Sequence, residues 1–180
     1  MKKSISPSEA RGTQAAPASK SEMQRAVAAA LIANGRTTIT NPSFCDDSRA
    51  ALGIAEALGA AVHVSSDRVI IDGGINPAVS VLDCGESGLG VRMFTPIAAL
   101  TGRQMTLTGR GSLLKRPVST IEESLSDLGA SVKSQNGFLP IEVSSKLKGG
   151  STVIDGSLSS QFLTGLLMAL PSAEEDSLIS

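Results

Sequence analysis

The sequence has no tryptophan and no tyrosine, and only four phenylalanines among 180 residues. Without aromatic faces there is no platform for stacking nucleic-acid bases and no aromatic wall for a sugar ring. An excess of one charge is also missing: 16 Lys and Arg stand against 17 Asp and Glu, for a formal net charge of −1. No global field draws the chain to nucleic acid or to an acidic membrane, so any anion binding must be local. The two cysteines, Cys45 and Cys84, make no disulfide framework and read as small buried residues in a reducing cytosol. The single histidine, His63, has no Cys or carboxylate cluster beside it, which argues against a metal site. No Ser/His/Asp or other nucleophile pattern is visible. The longest unbroken apolar run, residues 26–33, is far short of a membrane span. The start Met1-Lys2-Lys3 lacks the apolar stretch of a signal peptide. A soluble, cytoplasmic protein without metal is expected.

What is present is a globular composition, 41% hydrophobic and 18% charged. Residues 1–18 are polar, rich in Ser, Ala and Pro, and without periodicity; they read as a disordered arm. From there Ser19-Lys20-Ser21 opens a helix that stops at Asn34-Gly35. Residues 37–40 read as a strand. Asp46 or Asp47 caps a second helix, with Ala51, Ile54 and Leu58 on its buried face. Two short strands follow, near residues 61–64 and 68–71.

The same order then recurs. A shift of 67 residues places Arg25 on Arg92, Gly35-Arg36 on Gly102-Arg103, and Arg49 on Arg116. It also carries Ala51, Ile54 and Leu58 onto Val118, Ile121 and Leu125. The offset becomes 70 at Leu58-Gly59-Ala60, which matches Leu128-Gly129-Ala130. This reads as repeated βαβαββ units, at about 19–78 and 79–148, with a third begun at 149–180 and incomplete. In that third unit Val153-Ile154-Asp155 resembles Val81-Leu82-Asp83, and Ser159-Ser160-Gln161 opens an apolar helix up to Leu170.

Each unit has a helix start with chemistry on it. Ser19-Lys20-Ser21 with Arg25 one turn on offers a point charge and a guanidinium fork, suited to phosphate or carboxylate; the plainer reading is an N-cap with solvated charges. Gly85-Glu86-Ser87-Gly88 lets backbone approach a ligand at the positive end of a helix, with Arg92 one turn inside. Lys115-Arg116-Pro117 reads as a helix start whose two cations oppose the helix dipole unless an anion offsets them. Arg49 has Asp46 and Asp47 nearby and reads as structural. Ser159, Ser160 and Gln161 supply hydroxyl and amide donors at the third start. If the units pack side by side, these positive helix ends converge on one anionic patch.

Five motifs in this order and spacing resemble the 5-enolpyruvylshikimate-3-phosphate synthases (3-phosphoshikimate 1-carboxyvinyltransferases). They are Ala16-Pro17-Ala18-Ser19-Lys20-Ser21 with Arg25, Asp46-Asp47-Ser48-Arg49, Gly85-Glu86-Ser87-Gly88 with Arg92, Lys115-Arg116-Pro117, and Asp155-Gly156-Ser157 with Ser159-Ser160-Gln161. The resemblance implies an α/β fold, one domain of the inside-out α/β barrel of enolpyruvyl transferases, with residues up to about 18 serving as hinge. It implies transfer of the enolpyruvyl group of phosphoenolpyruvate to the 5-hydroxyl of shikimate 3-phosphate, on the route to chorismate and aromatic amino acids, without cofactor. By position, Lys20, Ser21, Arg25, Ser159, Ser160 and Gln161 would hold shikimate 3-phosphate. Lys20, Glu86, Gly88, Arg92, Arg116 and Gln161 would face phosphoenolpyruvate. The family's catalytic carboxylates fall outside these 180 residues, so no catalytic residue is assigned, and a further C-terminal domain is the implied partner.

This sequence has Glu86 and Leu89 where many family members carry Asn and Thr. A carboxylate there weakens binding of a triply charged ligand unless it is protonated or paired. The sister transferase acting on UDP-N-acetylglucosamine shares fold and donor, but its opening motif reads Lys-Asn where this chain has Lys20-Ser21. A non-catalytic anion-binding module is the alternative from another class.

Overall fold

The apolar periodicity resolves into five helices and nine strands among the described residues of the computed structural model, which are 2–9, 11–157 and 160–180. Helix α1 (Lys20–Ile32) starts at Ser19, whose Oγ accepts the Glu22 N–H at 3.3 Å. Strand β1 (Arg36–Thr40), helix α2 (Asp46–Ala57) and the hairpin of β2 (Ala61–Val64) and β3 (Arg68–Asp72) follow. β3 lies in the middle of the antiparallel sheet β1-β3-β2. Ala51, Ile54 and Leu58 are all buried, as the spacing requires. The described residues before α1 contain no helix or strand.

The next stretch runs β4 (Val81–Asp83), α3 (Gly88–Ala99), β5 (Met105–Thr108), a 3-10 turn (Gly111–Lys115), α4 (Thr120–Asp127), β6 (Ser131–Gln135) and β7 (Phe138–Ser144). Its sheet has the order β4-β5-β7-β6, with β4 and β5 parallel and the other pairs antiparallel. The order β5-β7-β6 repeats that of β1-β3-β2. Then come β8 (Gly150–Thr152), α5 (Gln161–Ala169), a 3-10 turn (Leu170–Ser172) and β9 (Ser177–Ile179), with β8 and β9 parallel. Thus β4-α3-β5 and β8-α5-β9 are the same device, two parallel strands joined through a helix.

Helix α3 is the centre of the molecule. Its sequence is apolar all round, and every residue except Arg92 is buried. It packs on α1, α2 and α5 and on strands β5 and β7, so helices fill the interior while the sheets lie outside them. The strands alternate accordingly: Val69 and Ile71 of β3, Met105 and Leu107 of β5, and Leu139, Ile141 and Val143 of β7 are buried. Pro96 sits inside α3 and has no N–H for the Arg92 carbonyl. That carbonyl lies against Gly165 of α5, where a Cβ would come within 2.8 Å of it.

Several local expectations need correction. The N-cap of α2 is Cys45, with no side-chain cap bond, while Asp46 and Asp47 occupy the first helical turn. Either way the acids complement the dipole, so the pattern fits both placements. Cys45 is exposed, unlike Cys84. Arg49 does not pair with the aspartates: its Nε donates to the Phe44 carbonyl at 3.0 Å, and its guanidinium lies 5.6 Å from the Phe44 ring centroid. Lys115-Arg116-Pro117 does not start a helix. Lys115 ends the 3-10 turn, Arg116 is extended, and α4 begins at Thr120. Lys115 therefore sits where the dipole favours a cation, and the expected mismatch vanishes. Unlike Val81-Leu82 of β4, which it resembles in sequence, Val153-Ile154 follows its strand instead of forming it, and the Ile154 N–H donates to the Ser180 carbonyl at 2.9 Å.

Candidate functional site: a charged pocket at three helix starts

Residues from the starts of α1, α3 and α5, together with the 3-10 turn, surround one pocket of about 320 Å³. Its walls include Lys20, Ser21, Glu86, Gly88, Arg116 and Gln161. Six residues singled out from the sequence, spread over more than 140 positions, therefore meet in one place. Gly88 forms the close point of approach: a Cβ there would lie 2.8 Å from Arg116 Nη1, 3.3 Å from Arg92 Nη1 and 3.7 Å from Gln161 Oε1. A larger cavity of about 510 Å³ lies beside α5 and β9, but its charged lining is acidic, Glu174, Glu175 and Asp176. The smaller pocket is the one whose chemistry suits an anion.

Other candidates fall elsewhere. Arg25 is half-buried on α1 and does not line this pocket. Arg92 is half-buried and turned to backbone: Nη1 donates to the Gly88 carbonyl at 3.1 Å and Nη2 to the Pro117 carbonyl at 2.9 Å. It fixes the loop that leads out of Arg116 and faces a neighbouring pocket with Asp155 and Phe162. Burial and the charge of Arg116 lower its pKa. Ser160 is the N-cap of α5 and makes no side-chain cap bond. Ser159 lies outside the described residues.

Two pocket residues, Gln24 and Ser112, escaped the sequence reading, and a third, Asp47, figures there as a helix cap and part of a motif but not as a site residue. Gln24 is fully buried, and its Oε1 accepts a 2.6 Å hydrogen bond from Ser87 Oγ. Ser87 Oγ in turn accepts the Gly90 N–H at 2.9 Å, as N-cap of α3. One buried pair thus ties the first turn of α3 to α1. A polar residue on the otherwise apolar face Met23, Val27, Ala28, Leu31 was the available signal for Gln24. Replacing Ser87 by Ala removes a cap and leaves the Gln24 oxygen without a donor, an expected loss of about 2 kcal/mol. Urea unfolding reads it, and a loss below about 0.5 kcal/mol, that of an ordinary surface change, would contradict the assignment.

Two cations and two carboxylates line the pocket. Lys20 Nζ lies 2.8 Å from Asp47 Oδ2, and this hydrogen bond and charge raise the Lys20 pKa, so the ammonium is fully charged. Arg116 Nη2 makes a long bond, 3.4 Å, to Ser112 Oγ. Glu86 Oε2 accepts the Ser112 N–H at 2.9 Å. That bond, chiefly, with Arg110 and Arg116 nearby, holds the Glu86 carboxyl below the usual carboxylate range. Glu86 is therefore ionised and partnered. Such a site can bind and orient an anion. Among the described residues no group of His, Cys, Asp and Glu is arranged to hold a metal ion, and no described helix is long and apolar enough to cross a membrane.

Comparison with known proteins shows the family. A family model described as EPSP synthase (3-phosphoshikimate 1-carboxyvinyltransferase) matches residues 6–180. A 3-phosphoshikimate 1-carboxyvinyltransferase of Methanocorpusculum labreanum is 37% identical over 183 residues, covering 99% of this chain and 43% of that protein. One from Halobacterium salinarum is 41% identical over 174 residues, covering 94% and 40%. The solved EPSP synthase of Acinetobacter baumannii superposes with a TM-score of 0.80 at 28% identity, over 90% of this chain and 38% of that one. The chain spans about two fifths of the length of the curated relatives it matches.

Proposed function

The chain belongs to the EPSP synthase family, and on that premise we propose that it is the N-terminal part of a cytoplasmic 3-phosphoshikimate 1-carboxyvinyltransferase. The reaction joins the 5-hydroxyl oxygen of shikimate 3-phosphate to C2 of phosphoenolpyruvate and then eliminates phosphate from the tetrahedral adduct. Residues 19–180 form a substrate-binding domain, with 1–18 as the arm that leads to the other domain.

The observation that carries this reading is the convergence of Lys20, Ser21, Gly88, Arg116 and Gln161 on one pocket at three helix starts. Lys20 supplies a point charge able to serve both substrates. Arg116 supplies a planar fork for the carboxylate or phosphate of phosphoenolpyruvate. Gly88 lets the ligand reach the N–H groups at the start of α3, where the dipole favours negative charge. Ser21 and Gln161 add neutral donors that fix orientation. Arg25 and Ser160 belong to the shikimate 3-phosphate side, beyond the pocket. Arg92 acts behind it by holding the Gly88 and Pro117 carbonyls.

These residues bind and polarise; the proton transfers belong to groups outside the chain. The 180 residues alone should therefore release no phosphate from the two substrates, and measurable turnover by them would refute this division of labour. Calorimetric titration with shikimate 3-phosphate should show weak binding, because half the cleft is supplied by the other domain. An absence of heat at millimolar ligand would leave the fold intact and remove the claim that the pocket is preformed.

A further inference from the structure

Of the two carboxylates in the pocket, Asp47 is paired with Lys20 Nζ at 2.8 Å, and Glu86, whose charge also opposes an anionic ligand, has a fixed place of its own. Its carboxylate accepts the Ser112 N–H at 2.9 Å. It lies so close over Gly111 that a Cβ built there would overlap the carboxyl group. Gly111 has φ +57, a left-handed value that glycine adopts freely. The turn is thus shaped to receive the carboxylate. Ser112 also links to the cation: its Oγ is the hydrogen-bond partner of Arg116 Nη2 at 3.4 Å. Glu86 and Arg116 therefore share one residue, the first through its N–H and hydroxyl and the second through its hydroxyl, and both line the same pocket.

We propose that Glu86 is a built-in counter-anion of this pocket: it holds the Gly111–Lys115 turn that presents Arg116, while its negative charge lowers the pocket's affinity for anions. The proposal rests on reading the pocket as an anion site. The charged groups facing Glu86 are Arg110 and Arg116 from the segment around the turn, with Lys20 of α1 and Asp47 of α2 across the pocket. The two functions of Glu86 are separable. The hydrogen bond needs only an acceptor oxygen, which a glutamine also has, whereas the repulsion needs the charge. A unit charge a few ångströms from a bound dianion, in a site open to water and salt, changes binding by about 3- to 10-fold. Because the Ser112 bond keeps Glu86 ionised, that penalty is present at neutral pH. It is relieved only as pH falls through the carboxyl's lowered range, so anion affinity rises toward acid pH.

The test is calorimetric titration of the 180-residue chain with sulfate, whose own charge does not change above about pH 3, so that the window includes the lowered range of the Glu86 carboxyl. Native protein, Glu86→Gln, Glu86→Met and Arg116→Gln are compared. Glu86→Gln is expected to bind sulfate about 3- to 10-fold more tightly than the native chain at pH 7. Its affinity should also change less than the native chain's as pH falls through the lowered range of the Glu86 carboxyl. Glu86→Met has lost both charge and acceptor and should bind more weakly than Glu86→Gln. A Gln variant no tighter than the native chain would overturn the charge role, and a Met variant equal to Gln would overturn the positioning role. If native protein binds sulfate and Arg116→Gln does not, either result falls on Glu86 alone. If no form binds sulfate, the anion-site reading fails and takes this proposal with it.

Discussion

Gly165→Val is expected to lower the melting temperature by roughly 5–10 °C, corresponding to a loss of about 2–3 kcal/mol. Gly165 lies in α5 where that helix crosses α3. A Cβ there would stand 2.8 Å from the Arg92 carbonyl oxygen, 2.8 Å from Met93 Cα and 2.9 Å from the Met93 oxygen. All three are backbone atoms of a helix buried on every side, so the strain cannot be relieved by rotating a side chain. The helices must separate, and the contact between Phe162, Leu166 and the α3 core loosens. Replacing glycine in a helix normally gains up to about 1 kcal/mol, but valine recovers less than half of this. Overpacking wins. Gly53→Ala in α2 supplies the opposite case. Gly53 is exposed and nothing lies within 4 Å of its Cβ position, so alanine should stabilise by about 0.5–1 kcal/mol. Differential scanning calorimetry of both variants should give shifts of opposite sign. A native-like melting temperature for Gly165→Val would mean that α3 and α5 do not pack as closely as described. Moving α5 also moves Gln161, so the same variant should weaken anion binding.

The two glycines show where the sequence stops being informative. Both stand in helical patterns, and only long-range packing separates the critical one from the tolerant one. Features set by neighbours along the chain were legible: Ser19 starts α1, Ala51, Ile54 and Leu58 face inward, and the strands near residues 61–64 and 68–71 flank the turn at Ser65-Ser66-Asp67. The EPSP synthase fold was legible too, because five motifs in order are far more specific than any one. The error at Lys115-Arg116-Pro117 has a physical cause. Proline at a first helical turn is common, but a short 3-10 turn has no 3.6-residue periodicity to reveal it, so its end passed for the next helix's beginning. The partners of Lys20 and Glu86 were hidden for the same reason as the glycine contacts. Asp47 and Ser112 lie 27 and 26 positions away, and only the fold brings them to 2.8 and 2.9 Å.

Arg116 and Arg92 put the proposed site to its sharpest test, because they lie side by side at Gly88 and should respond in opposite ways. Arg92 has both terminal nitrogens engaged by carbonyls, at 3.1 and 2.9 Å. Arg116 has one long bond to a hydroxyl at 3.4 Å, and its Nη1 faces the pocket side of Gly88. Arg92→Met should therefore destabilise the fold by about 1 kcal/mol, since it removes two charge-assisted bonds, of which the Gly88 carbonyl keeps its helical partner and the Pro117 carbonyl is open to water. Arg116→Gln should leave the melting temperature nearly unchanged. It removes a bidentate, charge-assisted contact to a ligand carboxylate or phosphate, each such bond contributing about 1.5–3 kcal/mol. Phosphoenolpyruvate affinity should fall roughly 30- to 150-fold, equivalent to about 2–3 kcal/mol. Lysine at position 116 should restore only part of this, because an ammonium keeps the charge but not the planar fork. Calorimetric titration beside thermal melting separates the two arginines. If Arg116→Gln binds within threefold of the native chain, Arg116 is a solvated surface charge and the pocket is not the phosphoenolpyruvate site. If it melts as early as Arg92→Met while losing affinity, its contribution is to the Gly111–Lys115 turn and not to the ligand.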